Sequence, residues 1–407
     1  MSHRVNRLAA GLILAGATPL AHAAGFALIE QNASGLGNAY AGAAAVAADA
    51  STIYFNPAGM TLLPDSQVVL AGHLIQFKAE FSGTVTPAVG GGDGGDAGGW
   101  ALVPNAYFAF RLTPDVHLGV GLNAPFGLKT DYDPDWVGRT QAIKSEVKTI
   151  NINPSIAYKV NDSLSLGAGL NIQWIEATLT NRQPLGLPPA PVPLLTIKGD
   201  DYGWGYNLGA LWQATPATRI GLSYRSEVDY TLDGTSSTSG PSVAPLNGPV
   251  TADVTLPDRA SLSLFHKLSP RWDLLADVTW TGWSDFDDLP IKGTVSKTMP
   301  ENWEDILRYS LGATWHMSDK LSLRGGIAYD EAPVSDTYRT PRIPDGARTW
   351  VAVGGQYRLS RQSVLDFGYA HLFVNDPGLR STDNGTTLNG EYDSQVDILS
   401  AQLTYRF

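Results

Sequence analysis

Stretches of about ten residues in which apolar and polar side chains alternate run through most of the chain. Leu164, Leu166, Ala168, Leu170, Ile172 and Trp174 fall on one parity, and Ser163, Ser165, Gly167, Gly169, Asn171 and Gln173 on the other. Leu321, Leu323, Gly325, Ile327 and Tyr329 repeat the arrangement, as do Ala401, Leu403, Tyr405 and Phe407 at the end. Successive side chains of a strand point to opposite faces, so each stretch predicts a strand with one greasy and one wet face.

Short turns fall at Thr113-Pro114-Asp115, Asn161-Asp162, Thr215-Pro216-Ala217, Ser269-Pro270, Ser318-Asp319 and Ser360-Arg361. Each carries Pro, Asp, Asn or Ser, the residues that favour turns. Longer polar loops alternate with them, near 83–99, 124–145, 181–200, 232–251, 287–302, 333–346 and 375–391. Six short turns and seven long loops join fourteen strands, an even number with both ends on the short-turn side, as in outer-membrane barrels. The expected fold is an all-β membrane protein: a 14-stranded antiparallel transmembrane β-barrel over residues 66–407.

Residues 24–65 break the alternation. They are rich in small residues, nearly uncharged, and helically spaced at Leu36, Tyr40 and Ala43-Ala44. This stretch reads as a partly helical hatch, or plug, in the lumen. Residues 1–23 read as a signal peptide, with Arg4 and Arg7, an apolar core from Leu8 to Ala17, and the A-x-A site Ala21-His22-Ala23. The apolar core is too short to cross a bilayer as a helix.

Composition narrows the function. The net charge of −11 makes nucleic acid an unsuitable partner. The 11 Trp and 16 Tyr suit aromatic belts at membrane interfaces. With no cysteine there is no disulfide and no thiolate chemistry. The histidines have no metal-ligand spacing and no G-x-S-x-G occurs, so neither metal, cofactor nor enzymatic activity is expected. Gly90 to Asp96 has the look of a calcium-binding repeat but occurs once, and Pro188-Pro189-Ala190-Pro191 reads as loop. No repeat of propeller length is present. Phe407, ending an amphipathic strand, resembles the signal read by barrel assembly machinery.

Several motifs together resemble the FadL family of outer-membrane transporters for long-chain fatty acids and other hydrophobic compounds. They are the start Ala24-Gly25-Phe26, the hatch run Ser34 to Gly42, the triplet Asn56-Pro57-Ala58, Asn123-Ala124-Pro125-Phe126-Gly127, Tyr224 to Val228, Trp283-Ser284 and Ile343-Pro344-Asp345. The resemblance implies a fourteen-stranded barrel closed by an N-terminal hatch. It implies capture of a hydrophobic small molecule, an internal dry pocket, and exit through a gap beside an inward kink of the third strand. It places the chain in the Gram-negative outer membrane, as a monomer among outer-membrane lipids and lipopolysaccharide.

The resemblance also implies site residues. Phe26, with Leu28 beside it, is expected at the ligand pocket. Asn56, Pro57 and Ala58 are expected to form a rigid turn where plug meets wall, since Pro fixes φ and Asn bonds local backbone. Gly119, Gly121, Pro125 and Phe126 mark the expected kink and lateral gate, because Gly and Pro interrupt strands. Basic residues hold the ligand carboxylate in familiar members, but alignment of neighbouring motifs puts Glu176 and Glu304 at two such places. Arg225, Arg308 and Arg348 stand as substitutes, since Arg binds carboxylates bidentately. The departure leaves room for neutral alkanes or aromatic hydrocarbons. A general porin and a surface receptor are the other readings of a barrel of this kind.

Overall fold

The computed structural model describes residues 25–183, 193–239 and 246–407. The signal segment 1–23, Ala24 and the Pro188-Pro189-Ala190-Pro191 stretch lie outside these residues.

Twenty strands form one antiparallel sheet: β1 (Gln67–Thr86), β2 (Gly99–Arg111), β3 (Val116–Asn123), β4 (Gly127–Asp131), β5 (Lys144–Lys159), β6 (Leu164–Arg182), β7 (Leu194–Thr215), β8 (Thr218–Arg225), β9 (Val228–Ser239), β10 (Gly248–Leu256), β11 (Arg259–Ser269), β12 (Trp272–Thr281), β13 (Asp288–Gly293), β14 (Lys297–Pro300), β15 (Ile306–His316), β16 (Leu321–Asp330), β17 (Arg348–Arg358), β18 (Ser363–Val374), β19 (Gly378–Asp383) and β20 (Thr386–Arg406). Fourteen of them close a ring, in the order β1, β2, β3, β5, β6, β7, β8, β11, β12, β15, β16, β17, β18, β20. The seam closes where β1 pairs with β20, from Gln67 opposite Arg406 to Thr86 opposite Thr387. A closed ring leaves no edge whose backbone groups would be stranded in lipid.

The alternating parity sorts as expected. Leu170, Ile172, Ile327, Leu403 and Phe407 face outward, while Asn171, Gln173, Gln402 and Thr404 are buried in the lumen. All six short turns fall between ring strands. The long loops differ from the sequence reading: β4, β9, β10, β13, β14 and β19 lie within or overlap them. These strands extend the wall beyond the membrane by pairing with β5, β7, β10 and β20. Outside the bilayer both faces meet water or loop, so runs such as Thr235-Ser236-Ser237-Thr238-Ser239 carry no apolar parity for a sequence to reveal.

The hatch fills the lumen with four short turns of helix: α1 (Ala33–Leu36), α2 (Ala43–Val46), α3 (Thr52–Phe55) and a 3₁₀ helix (Pro57–Leu62). Helices this short have no stability of their own in water. The wall holds them, through glycines on its inner face. A Cβ on Gly209 would lie 2.0 Å from the Asn56 side chain, one on Gly221 2.0 Å from the Ala44 carbonyl, and one on Gly167 2.3 Å from the Ala58 amide. Asn56 locks the seat. Its Nδ2 donates to the carbonyls of Ala44 (2.7 Å) and Ala210 (3.0 Å), and its Oδ1 accepts from the Ala58 amide, with Pro57 opening the 3₁₀ helix.

Candidate functional site

The wall breaks between β3 and β4. β3 stays in register with β5 as far as Asn123 opposite Asn151, and β4 resumes at Gly127 opposite Lys148. Ala124, Pro125 and Phe126 lie between. Thr149 of β5 fills the missing rung: its Oγ1 accepts from the Phe126 amide (3.0 Å) and donates to the Phe126 carbonyl (2.7 Å). Along the other edge, β2 pairs with β3 only up to Ala106 opposite Leu122. From Gly99 to Asn105 that edge of β2 has no ladder partner among the described residues, and Pro104 stands within it. Proline, lacking an N–H, is tolerated at such an edge.

The N-terminal segment closes the break from within. Its backbone forms an antiparallel bridge, Ala27 opposite Phe126, with the Gly127 amide donating to the Phe26 carbonyl and the Leu28 amide to the Pro125 carbonyl, both at 2.8 Å. Gln31 Nε2 donates to the Ala124 carbonyl (2.9 Å). So Pro125 and Phe126 are in the break. Gly119 and Gly121 are not. They lie in a stretch of β3 paired on both edges. Gly119 instead makes room for the hatch, since a Cβ there would be 2.5 Å from Ile53 and 2.7 Å from Met60.

Phe26 stands in an aromatic cage. Its ring centroid lies 4.9 Å from Trp283, 5.6 Å from Phe286, 5.8 Å from Trp303 and 6.0 Å from Phe126. Gly25 permits this approach. It takes φ +64°, and a Cβ would lie 2.6 Å from both Trp283 and Trp303. Asp345 holds the segment by accepting from the Gly25 amide at 2.8 Å.

Against the Phe26 ring is an apolar cavity, lined by Leu128, Ile175, Leu232, Val254, Leu256 and Ile343 among others. Its charged lining residues are Arg342 and Glu301. The Arg342 guanidinium donates to Ser145 Oγ (3.1 Å) and the Gln141 carbonyl (2.7 Å), both neutral. It forms no salt bridge with a carboxylate among the described residues. Burial lowers its pKa to about 10 and raises that of the buried Glu301 to about 8, against the pull of Arg342. Glu301 is therefore protonated at neutral pH, and the cavity carries a net positive end. Arg342 also lines an outer groove, with Lys297, Arg339, Arg380 and Asp383.

The other expected ligand residues lie elsewhere. Leu28 is buried in a second apolar cluster with Tyr40 and Trp350. Arg225 Nη2 donates to the Tyr54 carbonyl (3.0 Å), and its guanidinium sits 4.3 Å over the Tyr54 ring. Arg308 pairs with Asp330 at 3.3 Å and donates to the Ala39 carbonyl, and Arg348 pairs with Asp345. These three arginines hold hatch and loop rather than lining the apolar cavity. Glu176 points outward, bridged to Lys198 at 2.9 Å, and Glu304 is exposed. Neither carboxylate meets the cavity, so the conflict expected from the alignment does not arise. Sequence reasoning passed over Arg342 and Glu301 because both sit in loops, where no periodicity gives orientation. Arg342 does directly precede Ile343-Pro344-Asp345.

Below the cavity the lumen turns polar. Asn151 bonds Asn123 (3.1 Å) and Asn171 (3.2 Å), and Arg225 bonds Asn171. Under this amide row lies the packed hatch.

A family model described as outer membrane protein transport protein (OMPP1/FadL/TodX) matches residues 14–407. The chain belongs to this family. Outer membrane protein P1 of Haemophilus influenzae is 31% identical over 98% of both chains. A protein of Escherichia coli named long-chain fatty acid transport protein is 27% identical over 95% of both. The crystal structure of a Pseudomonas aeruginosa FadL homologue superposes with a TM-score of 0.87 at 26% identity, covering 94% of this chain and 100% of the other. FadL-family proteins are outer-membrane transporters of hydrophobic compounds, not enzymes, and the fourteen-stranded barrel places this one in the Gram-negative outer membrane.

Proposed function

We propose that this FadL-family chain passively transports long-chain fatty acids, or similar molecules with a long apolar tail and one anionic head. The observation that carries the reading is Arg342: a buried guanidinium at the end of an apolar cavity, bonded to two neutral oxygens. A carboxylate there gains charge-assisted hydrogen bonds in a site with little water. The tail then lies along Leu232, Val254 and Leu256 toward Phe26.

Exit goes sideways, at the Ala124–Phe126 break. The amide row and hatch bar the way down with groups a hydrocarbon cannot satisfy. Each methylene moved from oil to water forfeits about 0.8 kcal/mol, whereas lipid receives it at no such loss. Phe26 couples the two events, since its ring floors the cavity and its carbonyl holds Gly127. A tail that displaces the ring loosens the bridge closing the gap.

Neutral hydrocarbons are the second reading, favoured by the otherwise apolar lining. Binding of radiolabelled oleate and of hexadecane by the purified protein separates them. Saturable oleate binding that hexadecane displaces weakly supports the fatty acid; hexadecane binding with no oleate binding contradicts it. A deletion strain that takes up both oleate and hexadecane as well as its parent contradicts both readings.

A further inference from the structure

The wall has a second interruption, on the other side of the apolar cavity. β7 pairs with β8 up to Asn207 opposite Arg225, and with β9 from Asp200 opposite Asp233 onward. Between these points, among the described residues, no ladder pair joins Asp201–Tyr206 to the facing strand. Seven steps along β7 face eight along β8–β9, so the register slips by one residue. β9 laps over the inner face of β7 instead of lying beside it. A Cβ on Gly203 would be 2.5 Å from the Val228 side chain and 2.7 Å from Tyr230, and one on Gly205 2.6 Å from Ser226.

Side chains replace the missing rungs. The Tyr206 amide donates to Ser226 Oγ (2.9 Å), and the Thr231 amide donates to the Asp201 carboxylate (2.8 Å). One backbone bond remains, from the Ser226 amide to the Tyr206 carbonyl at 2.9 Å. The chemistry is that of the β3–β4 break, where Thr149 caps Phe126. The two breaks lie on one cross-strand row, running from Phe126 through Thr149, Ile175 and Asp201 to Thr231. The cavity lies behind that row: Ile175 lines it from the middle, and Gly199, Leu232 and Gly234 line it from the two strands of the second break. On the outside stand Tyr202 and Trp204, 72% and 76% exposed, the amphipathic rings that settle at a lipid–water boundary.

We propose that the β7–β9 lap joint is a second lateral portal, through which an apolar-tailed solute dissolved in the outer leaflet reaches the cavity. This rests on the fatty-acid reading above. At the lipid–water boundary, where Tyr202 and Trp204 stand, an interrupted ladder is tolerated only where something covers it. Here the cover is a lapped strand held by few bonds, so it parts more readily than a continuous ladder. The cavity thereby lies between two openings in one wall, and a tail can be taken from lipid and returned to lipid without crossing water.

The test uses the absence of native cysteine. The pair Asp201→Cys and Thr231→Cys is joined by a short, reducible thiol cross-linker in vesicles whose lipid carries radiolabelled oleate. Linking is expected to slow loading of the protein from the lipid at least fivefold, with reversal on reduction and an unchanged amount bound at equilibrium. Equal loading rates in the linked and reduced forms overturn the portal. Absence of oleate binding by the reduced form overturns the underlying fatty-acid reading, and the portal with it. Ser226→Ala, which removes the hydroxyl capping Tyr206, gives an independent check. Loading at least twofold faster than in the parent supports the portal, and an unchanged rate contradicts it.

Discussion

The Phe26 carbonyl accepts a hydrogen bond from the Gly127 amide at 2.8 Å, while the Phe26 ring floors the apolar cavity. One residue thus touches both the place where a solute would rest and the break through which it would leave. Phe26→Ala removes a buried ring from four aromatic contacts. Truncations of this kind cost about 3–5 kcal/mol, and here the loss falls on hatch docking, because the barrel ladder does not involve Phe26. Hydrogen exchange is expected to quicken at the amides of Leu28 and Gly127, with β1 and β20 unchanged, and oleate uptake is expected to fall. Protection at Leu28 equal to the parent's would break the proposed link.

Arg342→Met keeps a long apolar stem and removes the charge. A hydrogen bond to a charged group is worth about 1.5–3 kcal/mol, so oleate affinity should fall by about 10- to 100-fold. Binding of an uncharged long-chain hydrocarbon should hold or improve. Titration of both ligands against the purified variant measures this, and Arg225→Met serves as the contrast because that arginine sits over Tyr54, away from the cavity.

Glu301 makes the affinity depend on pH. Burial raises its pKa from 4.5 to about 8. A carboxyl raised on folding binds its proton more tightly in the folded state, so its stabilising contribution is complete below pH 4.5 and is lost as pH rises through 8. In the same upper range the ionised Glu301 opposes a bound carboxylate beside Arg342. Oleate dissociation constants measured between pH 6 and 9, values chosen to span the transition at roughly 8, should rise toward the alkaline end. Glu301→Gln should flatten the curve.

The glycine seat explains why the lumen is stoppered. A Cβ on Gly209 would meet the Asn56 side chain at 2.0 Å, with nowhere for either to move. Gly209→Leu is expected to unseat the hatch while the ring of strands still closes. Planar-bilayer recording should then show steady ion conductance several-fold above the parent's, at a level near that of an unplugged barrel. A parent that already conducts as a wide pore would favour the porin reading.

Much of the barrel was legible because period-two alternation reports which face meets lipid. Leu166 to Trp174 and Leu321 to Tyr329 declare their faces without any tertiary knowledge. Pro125 stands in the break between β3 and β4, and proline stops a ladder. Gly119 and Gly121 misled, because glycine marks both a strand interruption and a close approach, and here the approaching group is the hatch at Ile53 and Met60. The arginines misled for a related reason. Arg225, Arg308 and Arg348 are placed by the lumen, but their bonds go to Tyr54 and Ala39 of the hatch, Asp330 of β16 and Asp345 of the loop before β17. Arg342 acquires its position from a loop folded over β4 and β5, which bond it through Thr130 and Ser145. No local pattern encodes that.

The central claim is that the solute leaves through the wall at the β3–β4 break. Pro104→Cys and Ala124→Cys place thiols on either side of it, in a chain without other cysteines. Uptake of radiolabelled oleate by a deletion strain carrying this variant, with the pair cross-linked and then reduced, is the most direct measurement. The expected result is uptake blocked when the gap is bridged and restored on reduction, with oleate binding to the purified protein unchanged. Undiminished uptake with the bridge in place would contradict lateral exit.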